Sequence, residues 1–387
     1  MKIASVVGVR PQFVKASVVS KELRKNNEEC LIHTGQHYDY EMNKIFFEEL
    51  GIPEPDYYLG VGSGLHGYQT GEMLRKLEEA LKIEKPDLVL TYGDTNSTLA
   101  GALAAAKLGI KNAHVESGLR SFDRSMPEEI NRILTDHCSD ILFCPTQNAV
   151  DNLGGEGITK NVYLTGDVMV DSLLFNKEIA ETKSSILSDD LNLKKKDYLV
   201  ATIHRASNTD NIENLQNIIE AFQELNENIV FPVHPRTEKL LKSHGLYDSL
   251  SSSVKLIKPL GFLDFIKLIN HAKMILTDSG GVQKEAYILK VPCVTLRENT
   301  EWIETIKDGW NVLVGSNKDK IIEAVNEFKP SVQEHQNRFG DGNASNKIAE
   351  IINTLSVNEF KPPVQEHQNR FRDGSASNRI AAKINTL

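Results

Sequence analysis

Long hydrophobic runs are missing from this chain. No apolar stretch approaches the roughly 20 residues that cross a bilayer, and the opening MKIASVVGVRP has too short an apolar part, and no small-residue cleavage pattern, for a signal peptide. The expectation is a cytoplasmic protein with no membrane partner. An excess of positive charge is also missing: 44 Lys and Arg against 53 Asp and Glu leave a formal charge of -9, which disfavours a generic nucleic-acid surface while leaving room for a local basic pocket. Cysteine is scarce. Cys30, Cys138, Cys144 and Cys293 show no C-x-x-C spacing and each lies in or beside an apolar segment, so they read as reduced core residues. No H-E-x-x-H, H-x-H or clustered Cys/His set occurs, and no metal is expected. The first strand is followed by neither G-x-G-x-x-G nor G-x-x-x-x-G-K-[ST], which removes a dinucleotide fingerprint and a Walker loop there. The absence of a G-x-S-x-G elbow disfavours an α/β-hydrolase.

What is present is an alternation of short β-branched runs with longer segments of helical period, the pattern of an α/β protein. Its 387 residues suit two domains. Strands are expected at 2–7, 30–34, 88–92, 112–115, 141–144 and 162–165, and a second series at 198–204, 229–234, 254–257, 274–277 and 293–296. They are nearly continuous apolar runs, as a parallel sheet covered on both faces requires. We therefore expect two doubly wound, Rossmann-like units: an N-terminal domain over 1–170, a polar linker over 171–197 containing SSILSDDLNLKKKD, and a C-terminal domain over 198–355 ending in a helix. A ligand belongs in the cleft where the carboxyl ends of the strands meet.

The remaining segment, 356–387, belongs to a repeat. Residues 326–355 and 358–387 differ at six of 30 positions, too few copies for a solenoid. In the first copy Ile348, Ile351, Ile352 and Leu355 form a helical stripe, whereas the second has Lys383 where the first has Ile351. The first copy is expected to pack and the second to be peripheral.

The residues that follow each strand carry the chemistry. After the first comes Gly8-Val9-Arg10-Pro11 with Lys15 on the next helix, a turn plus cations able to hold a diphosphate, or simply a turn with solvated charges. Thr277-Asp278-Ser279-Gly280-Gly281 opens a helix and allows close backbone approach, with Glu285 two turns in, where a carboxylate can accept from ribose hydroxyls; a plain helix cap is the alternative. Asp94, Glu116 and Glu128 leave the same end of the first sheet, and such clustering is expected to push at least one carboxyl upward into general-base range, although helix capping also accounts for each alone. His204-Arg205 and His234-Pro235-Arg236 stand at equivalent ends in the second half.

Taken in order, GVRPQFVK, TGQHYDYEM, YGDTNSTLAGALAA, HVESGLRSFDRSMPEEINR, LTGDVMVDSL, TIHRASNTDN, HPRT, TDSGGVQKEAY, LRENTEW and GWNVLVG resemble the non-hydrolysing UDP-N-acetylglucosamine 2-epimerase family over most of residues 1–350. The resemblance implies two Rossmann-like domains in the glycosyltransferase-B arrangement with the site between them. It also implies a homodimer, a UDP-sugar substrate, no redox cofactor, and reversible inversion at C2 by loss and return of UDP through a 2-acetamidoglucal, supplying glycan precursors. It places the catalytic role on Asp94, Glu116, Glu128 and His204. Substrate contacts fall on Arg10, Lys15 and Arg205, with Ser279, Gly280, Gly281 and Glu285 as the UDP loop. Some bacterial members carry a second, activating substrate site, for which Gln36, His234 and Arg236 are the matching positions. GVRPQ where many members read GTRPE, and Ser207 where glutamate is common, lean toward the subgroup resembling UDP-2,3-diacetamido-2,3-dideoxyglucuronate 2-epimerases. A glycosyltransferase of the same architecture and a non-catalytic UDP-sugar sensor are the competing readings.

Overall fold

The structure is a computed structural model that describes residues 1–36, 52–330 and 335–355. Two all-parallel sheets form it. The first runs β3-β2-β1-β4-β5-β6-β7, from β1 (Lys2–Val7), β2 (Glu28–His33), β3 (Tyr57–Tyr58), β4 (Leu88–Tyr92), β5 (Lys111–Val115), β6 (Ile141–Cys144) and β7 (Val162–Leu164). The second runs β10-β9-β8-β11-β12-β13, from β8 (Leu199–Thr202), β9 (Ile229–Pro232), β10 (Lys255–Ile257), β11 (Met274–Thr277), β12 (Cys293–Thr295) and β13 (Asn311–Leu313). Both orders reverse once, between β1 and β4 and between β8 and β11, and ligands of doubly wound sheets bind outside the carboxyl ends at such reversals. The strands are buried on both faces. Ile3, Val7, Leu88, Leu90 and Tyr92 enter one core of the first sheet while Ala4, Val6, Ile32 and Val89 enter the other. This explains their lack of polar alternation.

Most strand positions match the sequence expectation. β3 and β13 have no counterpart in it, because two or three residues are too few to show a period. The first helix, Arg10–Leu23, takes Pro11 into its first turn, where a missing N–H costs nothing.

The polar stretch 171–197 is not an unpacked linker. It contains most of the helix Val168–Lys183, followed by a π-helical turn, Ile186–Asp190. Leu173, Ala180, Ile186, Leu187 and Leu191 are buried in a core of the second sheet, while Lys194, Lys195, Lys196 and Asp197 are exposed. The C-terminal helix, Ala344–Thr354, also departs from sequence order. Its Ala344, Ile348, Ala349 and Ile352 join the core of the first sheet beside Phe13 and Val14, so the chain returns to its N-terminal half. The crossing helix receives it: Asp171 accepts from the Ala344 and Ser345 N–H groups at 3.1 and 2.7 Å and from Ser345 Oγ at 2.6 Å. Just before, Gly340 (φ +112°) lies against Gly166 (φ +90°), where a Cβ on Gly340 would come 3.2 Å from the Gly166 Cα. The first repeat copy therefore packs through the expected stripe. The second copy lies outside the described residues.

Ile352→Ala should lower stability by about 2–5 kcal/mol in denaturant unfolding, the usual cost of a buried cavity. Removal of residues 356–387 should leave the melting temperature nearly unchanged, as followed by circular dichroism.

Candidate active site

At the reversal of the first sheet, β1 ends at Gly8, which no larger residue can replace: an added Cβ would sit 2.1 Å from Ser97 Oγ and 2.3 Å from Thr34 Oγ1. Gln12 fixes this turn. Its Oε1 accepts from Gly8 N–H at 2.7 Å, and its Nε2 donates to the Tyr92 carbonyl and Thr98 Oγ1. One turn further along, Lys15 reaches over to Glu116, with Nζ 2.7 Å from Oε2 and both side chains about nine-tenths buried. Glu116 has φ +74°, a strained conformation for a side chain of this size. Asp94 follows β4 and receives the Arg132 fork, with Nη2 at 2.7 Å and Nε at 3.1 Å from Oδ2. Arg132 lies on the helix Pro127–Cys138, and Asn131 from the same helix donates to the Asp94 carbonyl at 3.0 Å. Glu128 is exposed on the first turn of that helix, four residues before Arg132 and so on the same side. Its neighbour Glu129 is the buried one, and it holds the Ser121–Phe122 backbone.

At Glu116 the expected upward shift does not occur. Burial pushes Glu116 up, but the charges of Lys15, Lys284 and Arg132 outweigh it and hold the carboxyl below its usual range. Spacing along a sequence reveals carboxylates that converge but not the cations from other elements that separate them. Arg10 is exposed at the first position of its helix.

At the reversal of the second sheet, the fully buried Asp278 is the organising group. It accepts from the His204 N–H at 3.1 Å, from the Arg205 N–H at 3.0 Å and from Asn208 Nδ2 at 3.1 Å. His204 Nδ1 lies 3.5 Å away from it. Burial lowers the His204 pKa against the pull of Asp278, so the ring is neutral at pH 7. Ser279 caps the helix Gly280–Ile288 by accepting from Val282 N–H. A Cβ on Gly280 would stand 3.2 Å from Glu301 Oε2 and 3.5 Å from Trp302 Nε1, while Gly281 is open. Arg205 Nε is buried with no acceptor, as expected of a donor awaiting a ligand. Burial raises Glu285 to about 7 against the charge of Lys284.

Lys284 was not singled out by the sequence, because a lysine within a helix has no motif of its own. It is buried, bonds Asp167 Oδ2 at 2.5 Å, stands 4.4 Å over the Trp302 ring and contributes to the field at Glu116. The nucleotide-loop helix of the second sheet is thereby tied to the start of the crossing helix. Of the three residues matched to a second site, only His234 and Arg236 are hydrogen-bonded to each other among the described residues. Gln36 accepts from Ser97 Oγ at 2.6 Å, whereas Arg236 pairs with Asp210 at 2.5 Å and its N–H meets His234 Nδ1 at 3.3 Å. The remainder of the TGQHYDYEM motif, from His37 onward, lies outside the described residues. Among the described residues, no group of three or more His, Cys, Asp or Glu is placed to hold a metal, and no helix is long and apolar enough to cross a membrane.

Glu285 gives a pH-dependent prediction. Its folded pKa lies above the unfolded one, so the native state holds the proton more tightly and loses stability as pH rises from about 4.5 to about 7. Glu285→Gln should therefore raise the melting temperature of the ligand-free protein at pH 8 and leave it nearly unchanged at pH 4.

Comparison with known proteins agrees with this arrangement. The family model described as UDP-N-acetylglucosamine 2-epimerase matches residues 21–353. A UDP-N-acetylglucosamine 2-epimerase homolog of Methanococcus maripaludis is 62% identical over 92% of this chain and 100% of its own length. The UDP-2,3-diacetamido-2,3-dideoxy-D-glucuronate 2-epimerase of Pseudomonas aeruginosa is 48% identical, covering 91% of this chain and 99% of its own. Among solved structures, the Methanocaldococcus jannaschii UDP-GlcNAc 2-epimerase in complex with UDP-GlcNAc and UDP superposes with a TM-score of 0.82 at 50% identity, over 91% of this chain and 99% of that one. With matches of this extent, and two Rossmann-like sheets whose reversals carry the residues described above, the chain belongs to the UDP-N-acetylglucosamine 2-epimerase family.

Proposed function

We propose that the protein interconverts UDP-N-acetylglucosamine and UDP-N-acetylmannosamine by inversion at C2. The observation that carries this reading is the pair of carboxylates, Asp94 and Glu116, each paired with a cation at the carboxyl ends of β4 and β5, with the glycine loop after β11 tied in through Lys284. A carboxylate takes the C2 proton as the C1–O bond breaks, and UDP leaves with the bonding electrons. The 2-acetamidoglucal that remains takes a proton on the opposite face of C2, and UDP returns to C1. The carbons undergo no net oxidation, so the reaction needs no nicotinamide.

In this reading Asp94, Glu116 and Glu128 carry protons. Neutral His204 acts beside them. Arg10, Lys15 and Arg205 meet the charge that grows on the departing diphosphate. Ser279, Gly280 and Gly281 offer backbone N–H groups to it, and Glu285 accepts from the ribose hydroxyls. Gln36, His234 and Arg236 are assigned to a second substrate molecule that activates the first site. For that, Arg236 must exchange Asp210 for a phosphate. A homodimer acting in the cytoplasm on precursors of surface glycans completes the proposal, with residues 1–170 and 198–355 as its two domains, the last helix of the second packing on the first sheet. The 48% identity to the Pseudomonas enzyme favours a second substrate, the 2,3-diacetamido uronate sugar nucleotide.

Proton NMR in D2O with UDP-N-acetylglucosamine and no acceptor or nicotinamide should show the manno epimer carrying deuterium at C2. Product only from the diacetamido uronate would move the assignment to the second substrate. Neither epimer nor exchange from either sugar would overturn the proposal. Asp94→Asn, Glu116→Gln and Glu128→Gln should each lower kcat by about 100-fold or more, with UDP affinity little changed by calorimetry.

A further inference from the structure

Behind the two carboxylates lies an imidazole to which none of the steps above assigns a task. His114, on β5, is fully buried, and both of its ring nitrogens meet oxygen. Nδ1 lies 2.7 Å from Asp136 Oδ1, and Nε2 lies 2.7 Å from the Gly93 carbonyl oxygen. A carbonyl oxygen can only accept. Asp136 also accepts, through Oδ2, from the Gly118 N–H at 3.1 Å and from Arg120 Nη1 at 2.7 Å. Burial pushes this carboxyl up, and the charge and hydrogen bond of Arg120 pull it down. Two acceptors facing two ring nitrogens call for two N–H groups. A neutral ring would set one bare nitrogen against a buried oxygen, a contact that costs both desolvated groups their partner.

We infer that His114 is a buried imidazolium and a positioning residue of the reaction, its two N–H groups fastening the Gly93–Asp94 turn to the helix Pro127–Cys138. The surrounding charges balance it. Asp136 faces it from that helix, and Arg120, which shares Asp136, is held in turn by Glu156 at 2.6 and 2.9 Å. His137 Nε2 lies 3.1 Å from Glu156 on the exposed side. Cys144 of β6 lies near Asp136 and stays a neutral thiol, pushed by burial to about 12. Glu116, two residues further along, is occupied by Lys15. The set is thus two positive groups, His114 and Arg120, against two negative ones, Asp136 and Glu156. Asp136 braces both site loops: through His114 it holds the carbonyl that precedes Asp94, and directly it holds Gly118, two residues after Glu116. Gly118 has no room to shift, since a Cβ there would meet the Ala149 carbonyl oxygen at 2.3 Å.

The positioning role rests on the proposed part of Asp94 in the reaction; the charge state of the ring does not. The test is therefore in two parts. In 15N-labelled wild-type protein at about pH 8, where an ordinary histidine is neutral, the ring signals that vanish in His114→Gln should show both nitrogens protonated. A single protonated nitrogen would overturn the charge assignment even if the epimerase activity is as proposed. Asp136→Asn keeps an oxygen that can accept one ring N–H but removes the negative charge that balances the second proton. Its kcat relative to wild type should fall by about tenfold or more between pH 6 and pH 8, with KM changed by no more than about twofold. Recovery on acidification is something a purely structural contact would not produce. A pH profile parallel to that of wild type would overturn the positioning role.

Discussion

The two sheets depend on a chain that crosses between them twice and is pinned at both crossings by a buried carboxylate. Asp171 clasps the returning C-terminal helix through three hydrogen bonds, and Asp167, four residues earlier on the same helical turn, takes the Lys284 ammonium. Neither carboxylate is expendable as a charge, because each is buried and would be left without its partner if the other member were removed. The clasp lies at the junction and not in either core. At this junction the two polar contacts are joined by an apolar one, in which Val170 of the crossing helix packs with Tyr287 and Phe339, while the bulk of the apolar packing stabilises each sheet separately.

Charge in the site is arranged by the same economy. Each carboxylate has a dedicated cation brought from a different element: Lys15 from the first helix to Glu116, Arg132 from the helix after β5 to Asp94, and Lys284 from the second sheet to Asp167. The positive groups counter the mutual repulsion of the acids and offset the cost of burying them. At Glu285 the charge of Lys284 does not offset burial, which raises the carboxyl to about 7.

The strand ends were legible in the sequence because a parallel strand is a bare apolar run, and the residue after it announces itself by being Gly, Asp or His. Asp94, Glu116, His204 and the Ser279–Gly281 loop all surfaced in that way. Lys284, Asp278, Arg132 and the His114–Asp136 pair did not stand out, because their significance is relational. An internal helix lysine or a strand histidine looks the same in sequence whether it packs at random or meets a partner far along the chain. Helix Val168–Lys183 was hidden for a different reason. Its buried positions include Asp171, Ser172 and Asn176, which are polar, so no apolar stripe marked it. The return of the C-terminal helix to the first sheet is a matter of topology, which local patterning does not encode.

The contact between Gly166 and Gly340 bears on the history of the tail. All five residues by which the C-terminal helix is buried, Ala344, Ser345, Ile348, Ala349 and Ile352, recur unchanged in the duplicate as Ala376, Ser377, Ile380, Ala381 and Ile384. By helix alone the two copies would be interchangeable tenants of one seat. The duplicate, however, has Arg372 where the first copy has Gly340, and the seat requires φ +112° there with backbone 3.2 Å from an added Cβ. One substitution thus makes the seat selective for the first copy. Gly340, more than the apolar stripe, is what distinguishes in sequence the copy that packs on the first sheet from its duplicate.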